Sequence, residues 1–172
     1  MTIFPFALFL LLLALLLFWQ SNRQRKQTGL PSGRVIYTDT RSWGEVDKPL
    51  YDKKLRLTGK PDYLVERGGK IIPVEVKSGR APEAPYDSHI YQLASYCYLV
   101  HKTLGERPPY GIIHYSDRDF AIDYTPALET ALLDILREMR RDEKRSNVDC
   151  SHSSAARCRG CGYRKICDQR IA

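Results

Sequence analysis

Between Lys60 and Arg80 the chain reads KPDYLVERGGKIIPVEVKSGR, and the Gly68-Gly69 pair at its middle leaves little freedom in how this stretch folds. Two glycines between apolar runs suit a tight hairpin turn that requires positive φ. Counting outward from them sets the register. Arg67 faces Lys70, Glu66 faces Ile71, Val65 faces Ile72, Leu64 faces Pro73 and Tyr63 faces Val74, so the next pair is Asp62 with Glu75. Pro73 cannot donate to a ladder, which predicts an edge or a bulge there.

Directly opposed residues have Cβ atoms roughly 4.5–5.5 Å apart, and like charges at that spacing repel. Two carboxylates so placed want a cation between them, and alternation puts Lys77 on the same face as Glu75. A hard divalent cation such as Mg²⁺ takes oxygen ligands of this kind, activates water and neutralises charge on a phosphate. The Lys77 ammonium suits stabilisation of developing charge. A solvated charged face is the ordinary reading of such a pattern. Against it, Glu75 lies between Val74 and Val76, in the most apolar strand of the chain beyond residue 20.

The rest of the chain alternates strand and helix signals. RVIYTDT (34–40) predicts a strand, RSWGEVDKPLYD (41–52) an irregular stretch, and KLRLTG (54–59) the start of another strand. From Ser88 to about Leu104 the apolar residues Ile90, Leu93, Ala94, Cys97, Tyr98 and Val100 recur at helical spacing, and Gly105 closes the pattern. PPYGIIHYSDRDFAIDYT (108–125) predicts a second hairpin turning at Ser116-Asp117. Thr125-Pro126 then opens a final amphipathic helix whose apolar face is Leu128, Leu132, Leu133, Ile135, Leu136 and Met139. Strands, helix, strands and helix in this order imply a compact α/β domain with a mixed sheet.

The pattern G-K-P-D, twelve residues, then E-V-K resembles the core of the PD-(D/E)XK nuclease superfamily. QLASYCYLV (92–100) is similar to the Q-x-x-x-Y helix of its RecB-like branch. Gln92 and Tyr96 are i,i+4 and share one helix face. The resemblance implies a restriction-endonuclease-like mixed sheet flanked by helices. It also implies Mg²⁺- or Mn²⁺-dependent hydrolysis of DNA, single-stranded or with free ends. Asp62, Glu75 and the Val76 carbonyl would hold the metal, Lys77 would be the catalytic cation, and Gln92 and Tyr96 would place the substrate. Arg80, after Ser78-Gly79, is a candidate phosphate contact, with a solvated turn arginine as the alternative. Family members add an acidic or histidine ligand upstream of the aspartate. No histidine precedes His89, and the acidic options are Asp39, Glu45, Asp47 and Asp52, with Glu45 the candidate ligand.

Four of the five cysteines fall between Cys150 and the C-terminus, where Cys158, Cys161 and Cys167 form C-x₂-C-x₅-C. Zinc folds tend to use two separated ligand pairs, whereas three thiols within ten residues suit a [4Fe–4S] cluster. The tail is similar to the C-terminal cysteines of the CRISPR-associated RecB-like exonucleases and of AddB-type helicase-nucleases. Their fourth cysteine precedes the nuclease core, and here no cysteine precedes Cys97. The fourth ligand is then Cys150, His152 or Cys97, with Cys150 preferred because it keeps the site local. Zn²⁺ is the alternative occupant, and either would be structural.

Ile3 to Trp19 is an uncharged run of Leu, Phe and Ala residues, close to the shortest stretch that spans a bilayer. It lacks the charged n-region and small-residue cleavage site of a signal peptide. Arg23, Arg25 and Lys26 follow it, which places the remainder in the cytoplasm by the positive-inside bias. The expected organisation is an anchor over 1–20, a linker over 21–33, a nuclease-like domain over 34–149 and a Cys-rich metal-binding tail over 150–172. The net charge of +7 belongs to the part outside the anchor and suits a phosphate backbone or an anionic membrane face. The sequence therefore reads as a membrane-anchored DNA nuclease. The alternatives are a catalytically degenerate nuclease-fold protein that binds nucleic acid, and a membrane-bound iron–sulfur or zinc protein whose acidic hairpin is incidental.

Overall fold

The structure is a computed structural model that describes residues 11–12, 34–36, 43–46, 48–150 and 154–171. Apart from Leu11 and Leu12, which are helical, the expected anchor and linker lie outside the described residues, as do Asp39, Asp47 and His152. Among the described residues no helix is long and apolar enough to cross a membrane.

The hairpin centred on Gly68-Gly69 consists of β5 (Tyr63–Arg67) and β6 (Lys70–Lys77). Both turn glycines have positive φ, 57° and 71°, the conformation a primed two-residue turn requires. All five pairs from Arg67–Lys70 to Tyr63–Val74 form as counted. Pro73, however, is neither on an edge nor in a bulge. The pair flanking a two-residue turn is hydrogen-bonded, so alternation makes Leu64–Pro73 a non-bonded pair. The missing N–H of Pro73 therefore points to the opposite side of β6, where pairing begins only at Val74.

On that side β6 runs parallel to β7 (Tyr110–Tyr115), which turns into antiparallel β8 (Asp119–Asp123). β1 (Arg34–Ile36) extends the sheet beyond β8, and β2 (Trp43–Glu45) extends it beyond β5. The mixed six-stranded order is β1-β8-β7-β6-β5-β2, with β6–β7 its parallel pair. β3 (Leu50–Asp52) and β4 (Leu57–Gly59) form a separate two-stranded sheet. The stretch expected to be irregular thus holds β2 and β3. Conversely, Lys54–Arg56, expected in a strand, belongs to a turn that Asp52 Oδ1 closes by accepting Leu55 N–H at 2.7 Å. Strands of three residues are too short to display alternation, so no periodic signal marks them.

α1 (Asp87–Leu104) lies against β6 and β7 and ends at Gly105 in the left-handed conformation. Its buried residues include Ile90, Leu93, Ala94, Cys97, Leu99 and Val100. Alternation divides β6 by face. Ile72 and Val74 join Val65 and Ile112 in an apolar cluster flanked by Tyr63 and Tyr110, while Glu75 and Lys77 point the other way, toward α1. α2 (Pro126–Asp142) starts where Thr125 Oγ1 accepts Leu128 N–H at 3.1 Å, with Pro126 in the first turn, where its missing donor costs nothing. Leu128 and Leu132 are buried, but Met139, expected on the apolar face, is 59% exposed.

The chain divides into two units, Met1–Asp134 and Ile135–Ala172, with the division inside α2. The second unit holds the end of α2, where Arg140–Glu143 and Arg145–Asp142 ion pairs lie one turn apart. It also holds α3 (Ala155–Arg159), a short helix that Ser154 Oγ caps by accepting Arg157 N–H at 3.4 Å. The helix from Thr125-Pro126 is therefore not the last one.

Candidate active site

Asp62 stands one residue before β5. Continuing the hairpin would pair Pro61 with Val76 in a hydrogen-bonded position, which Pro61 cannot complete because it has no N–H. The ladder stops at Tyr63–Val74. Asp62 Oδ2 instead accepts the Val76 backbone N–H at 2.7 Å. The expected cross-strand Asp62–Glu75 pair is thus replaced by a side chain bonded to the next β6 residue. This fixes the carboxylate beside the strand that carries Glu75.

Glu75 is buried, and its Oε1 accepts from Lys77 Nζ and from Gln92 Nε2, each at 2.8 Å. Lys77 Nζ also donates to Gln92 Oε1 at 2.9 Å, and Gln92 Nε2 reaches Tyr96 Oη at 2.9 Å. The Gln92 amide therefore bridges strand and helix, with both of its ends engaged. Tyr96 is buried, and burial raises its phenol above the usual range. The carboxylates of Glu75 and Asp62 push in the same direction, while the Gln92 bond opposes them. Tyr96 thus senses both acidic residues from one helix face.

His89 lies one turn before Gln92 on α1. Its Nδ1 lies 2.7 Å from Tyr115 Oη, and exposed Tyr86 packs edge-on against its ring at 5.3 Å. Burial, and then the charge of Lys77, lowers its imidazole below the ordinary value. Only its place on the Gln92/Tyr96 helix hinted at this position. Arg80 stands apart. Its side chain is 89% exposed, and its Nε lies 3.6 Å from Asp117 Oδ2. Asp117 also accepts the Ala81 N–H at 2.7 Å, so Arg80 belongs to a surface turn.

Beside Asp62 a cleft of about 460 Å³ is lined by Val46, Lys60, Asp62, Tyr63 and Val76. Lys60, two residues before Asp62, contributes a cation to it. The β2–β5 register sets Glu45 opposite Tyr63, one residue from Asp62, whereas Asp52 is engaged in its own turn. Glu75 and Asp62 thus bring two carboxylates to the same end of β6. With the Val76 carbonyl these are hard oxygen donors of the kind Mg²⁺ or Mn²⁺ takes. Among the described residues no three His, Cys, Asp or Glu side chains converge as a metal site.

In the tail, Cys158 is buried on α3, and its Sγ accepts Ile171 N–H at 3.2 Å. Cys161 and Cys167 are half-buried, and exposed Cys150 donates its backbone N–H to Gln169 Oε1 at 2.7 Å. Cys97 is buried in α1, where burial raises its thiol far above the usual range, so it is a core residue.

A family model described as the PD-(D/E)XK nuclease superfamily matches residues 10–168. A CRISPR-associated exonuclease Cas4 from Rhodospirillum rubrum is 26% identical over 152 residues, which are 86% of this chain and 45% of that protein. A CRISPR-associated exonuclease Cas4/endonuclease Cas1 fusion from the same organism is 26% identical over 122 residues, covering 69% of this chain and 21% of the fusion. The chain thus spans less than half the length of these curated relatives. The solved structure of SSO0001 aligns with a TM-score of 0.47 and 21% identity, over 67% of this chain and 52% of that one.

Proposed function

Because the chain belongs to the PD-(D/E)XK nuclease superfamily, we propose that it is a metal-dependent deoxyribonuclease, acting as an exonuclease on single-stranded DNA or free ends. The observation that carries the reading is the shared amide of Gln92, which holds Glu75 and Lys77 together at the end of β6 where Asp62 is tied to Val76. Asp62, Glu75 and the Val76 carbonyl would hold Mg²⁺ or Mn²⁺, with Glu45 as the upstream acid, a reading supported by its pairing with Tyr63, the residue after Asp62. When bound, the ion supplies Lewis-acid activation and neutralises phosphate charge.

The chain's own residues do the rest. Lys77 presents an ammonium, already oriented by two acceptors, to charge developing on the phosphate. Gln92 keeps Lys77 and Glu75 from relaxing into a private ion pair, and Tyr96 backs the amide from the helix. Lys60 lines the cleft beside Asp62 and is placed to meet a strand's backbone.

We further assign residues 1–20 as a single-pass anchor that leaves the nuclease domain in the cytoplasm. The apolar run from Ile3 to Trp19 and the basic residues after it support this. Cys150, Cys158, Cys161 and Cys167 are assigned to a structural iron–sulfur cluster. The backbone N–H directed at Cys158 Sγ supports this, since hydrogen bonds of that kind stabilise cluster thiolates.

The test is cleavage of end-labelled single-stranded DNA with Mn²⁺ or Mg²⁺, comparing the full chain with Lys77→Ala. The expected loss is about 100-fold or more. Equal rates would overturn the catalytic assignment. Retained DNA binding without cleavage by either protein would favour a nuclease fold that only binds.

A further inference from the structure

Within the second unit, Arg159, Arg164, Lys165 and Arg170 converge with Cys161 and Gly162 around a cleft of about 370 Å³. All four cations are exposed, and the ion pairs among the described residues involve other side chains. Four positive side chains around one concavity repel each other weakly, and an anionic strand that shares it relieves that repulsion. The sequence through this region is CGYRKIC, and Tyr163 and Ile166 project into solvent at 74% and 82% exposure. A basic cleft beside an exposed aromatic ring is the pattern that holds an unpaired strand. Cations track the phosphates there, and a ring receives an unstacked base.

We propose that this tail is a second contact for single-stranded nucleic acid, with the four cations holding backbone phosphates and Tyr163 stacking on a base. The choice of a single strand rests on the nuclease reading above and on the exposed ring, which a duplex with stacked bases would leave unused. Each cation that engages a phosphate releases a condensed counterion. Binding by this tail must therefore weaken with salt in proportion to the number of cations present.

The experiment titrates a labelled single-stranded oligonucleotide with the full chain, in chelator so that nothing is cleaved, over a series of salt concentrations. Replacing Arg164 and Lys165 with Gln is expected to make the slope of log affinity against log salt shallower by about 1.4, roughly 0.7 per cation. Tyr163→Ala is expected to lower affinity about 5-fold or more while leaving the slope unchanged. Should the double variant lose its fold, judged by circular dichroism, the exposed single change Lys165→Gln is expected to shift the slope by about 0.7. Unchanged slopes in folded variants overturn the proposal while leaving the nuclease reading intact. Absence of any single-strand binding or cleavage by the unaltered chain overturns both. An unchanged DNA slope, together with loss of any excess flotation on phosphatidylserine-containing over phosphatidylcholine vesicles, assigns the patch to a membrane face and likewise overturns it.

Discussion

The Asp62 carboxylate bonds the Val76 backbone N–H at 2.7 Å and so takes the place of a strand pair that Pro61 cannot form. One carboxylate oxygen thus has a structural task, and the other is left for chemistry. Asp62→Asn keeps a carbonyl oxygen for the Val76 N–H but removes the charge. The expected outcome is a stability loss of only about 1 kcal/mol in denaturant unfolding, with cleavage lowered about 100-fold or more. A large loss of stability with cleavage retained would show that the role of Asp62 is structural alone.

Glu75 and Gln92 are coupled through a 2.8 Å bond in a buried setting, and Lys77 depends on both. Gln92→Ala is expected to reduce cleavage about 10- to 100-fold, because the groups it orients lose their geometry. A double-mutant cycle of Gln92→Ala with Glu75→Gln, read by urea unfolding, is expected to give a coupling of about 0.5–3 kcal/mol. Additive effects would mean that the bridge does not form.

Much of this arrangement was legible because one feature propagated. The Gly68-Gly69 turn set the register of five strand pairs, and the resemblance to a Q-x-x-x-Y helix marked Gln92 and Tyr96, whose i,i+4 spacing puts them on one face. What escaped depended on backbone groups that no pattern of side chains reveals. The end of the ladder follows from a missing N–H at Pro61, and the position of Pro73 from which side of β6 its nitrogen faces. β2 and β3 are too short to show a period, so the strand carrying Glu45 was read as irregular. Arg80 could be read either as a phosphate contact or as a solvated turn arginine, and its turn, tied by Ser116 N–H to Gly79 O and by Asp117 to Ala81, leaves it on the surface, where either reading holds.

His89 links the site to pH. Burial, followed by the positive charge of Lys77, holds its imidazole below the ordinary value of 6.5. The unfolded chain therefore takes up the proton first. Stability is expected to fall as pH drops below about 6.5 and to level off once pH passes the lowered folded value. His89→Asn removes this contribution, so its thermal midpoint is expected to decline less than that of the unaltered protein across the window. Parallel curves would show that His89 titrates alike in both states.

The tail cysteines and Cys97 separate by environment. Cys158 receives a backbone N–H at its sulfur, whereas Cys97 lies in the core of α1. Anaerobically purified Cys158→Ser is expected to lose visible absorbance together with iron and acid-labile sulfide, while Cys97→Ser keeps all three. A colourless unaltered protein loaded with zinc would reassign the tail to the other metal.

Gly59 makes the last connection between packing and site. A Cβ there would meet Leu99 Cδ1 and Tyr96 Cε1 at 2.9 Å, closer than such atoms approach. Gly59→Ala must therefore move Tyr96, whose hydroxyl backs the Gln92 amide. Overpacking of this kind costs about 1–3 kcal/mol. The expected result is a lowered thermal midpoint accompanied by reduced cleavage, although residue 59 lies outside the acidic cluster. Gly44→Ala serves as the comparison, since among the described residues its added Cβ would meet only the Leu64 carbonyl at an ordinary 3.6 Å. Equal activity in both variants would mean that the position of Tyr96 does not govern the Gln92 bridge.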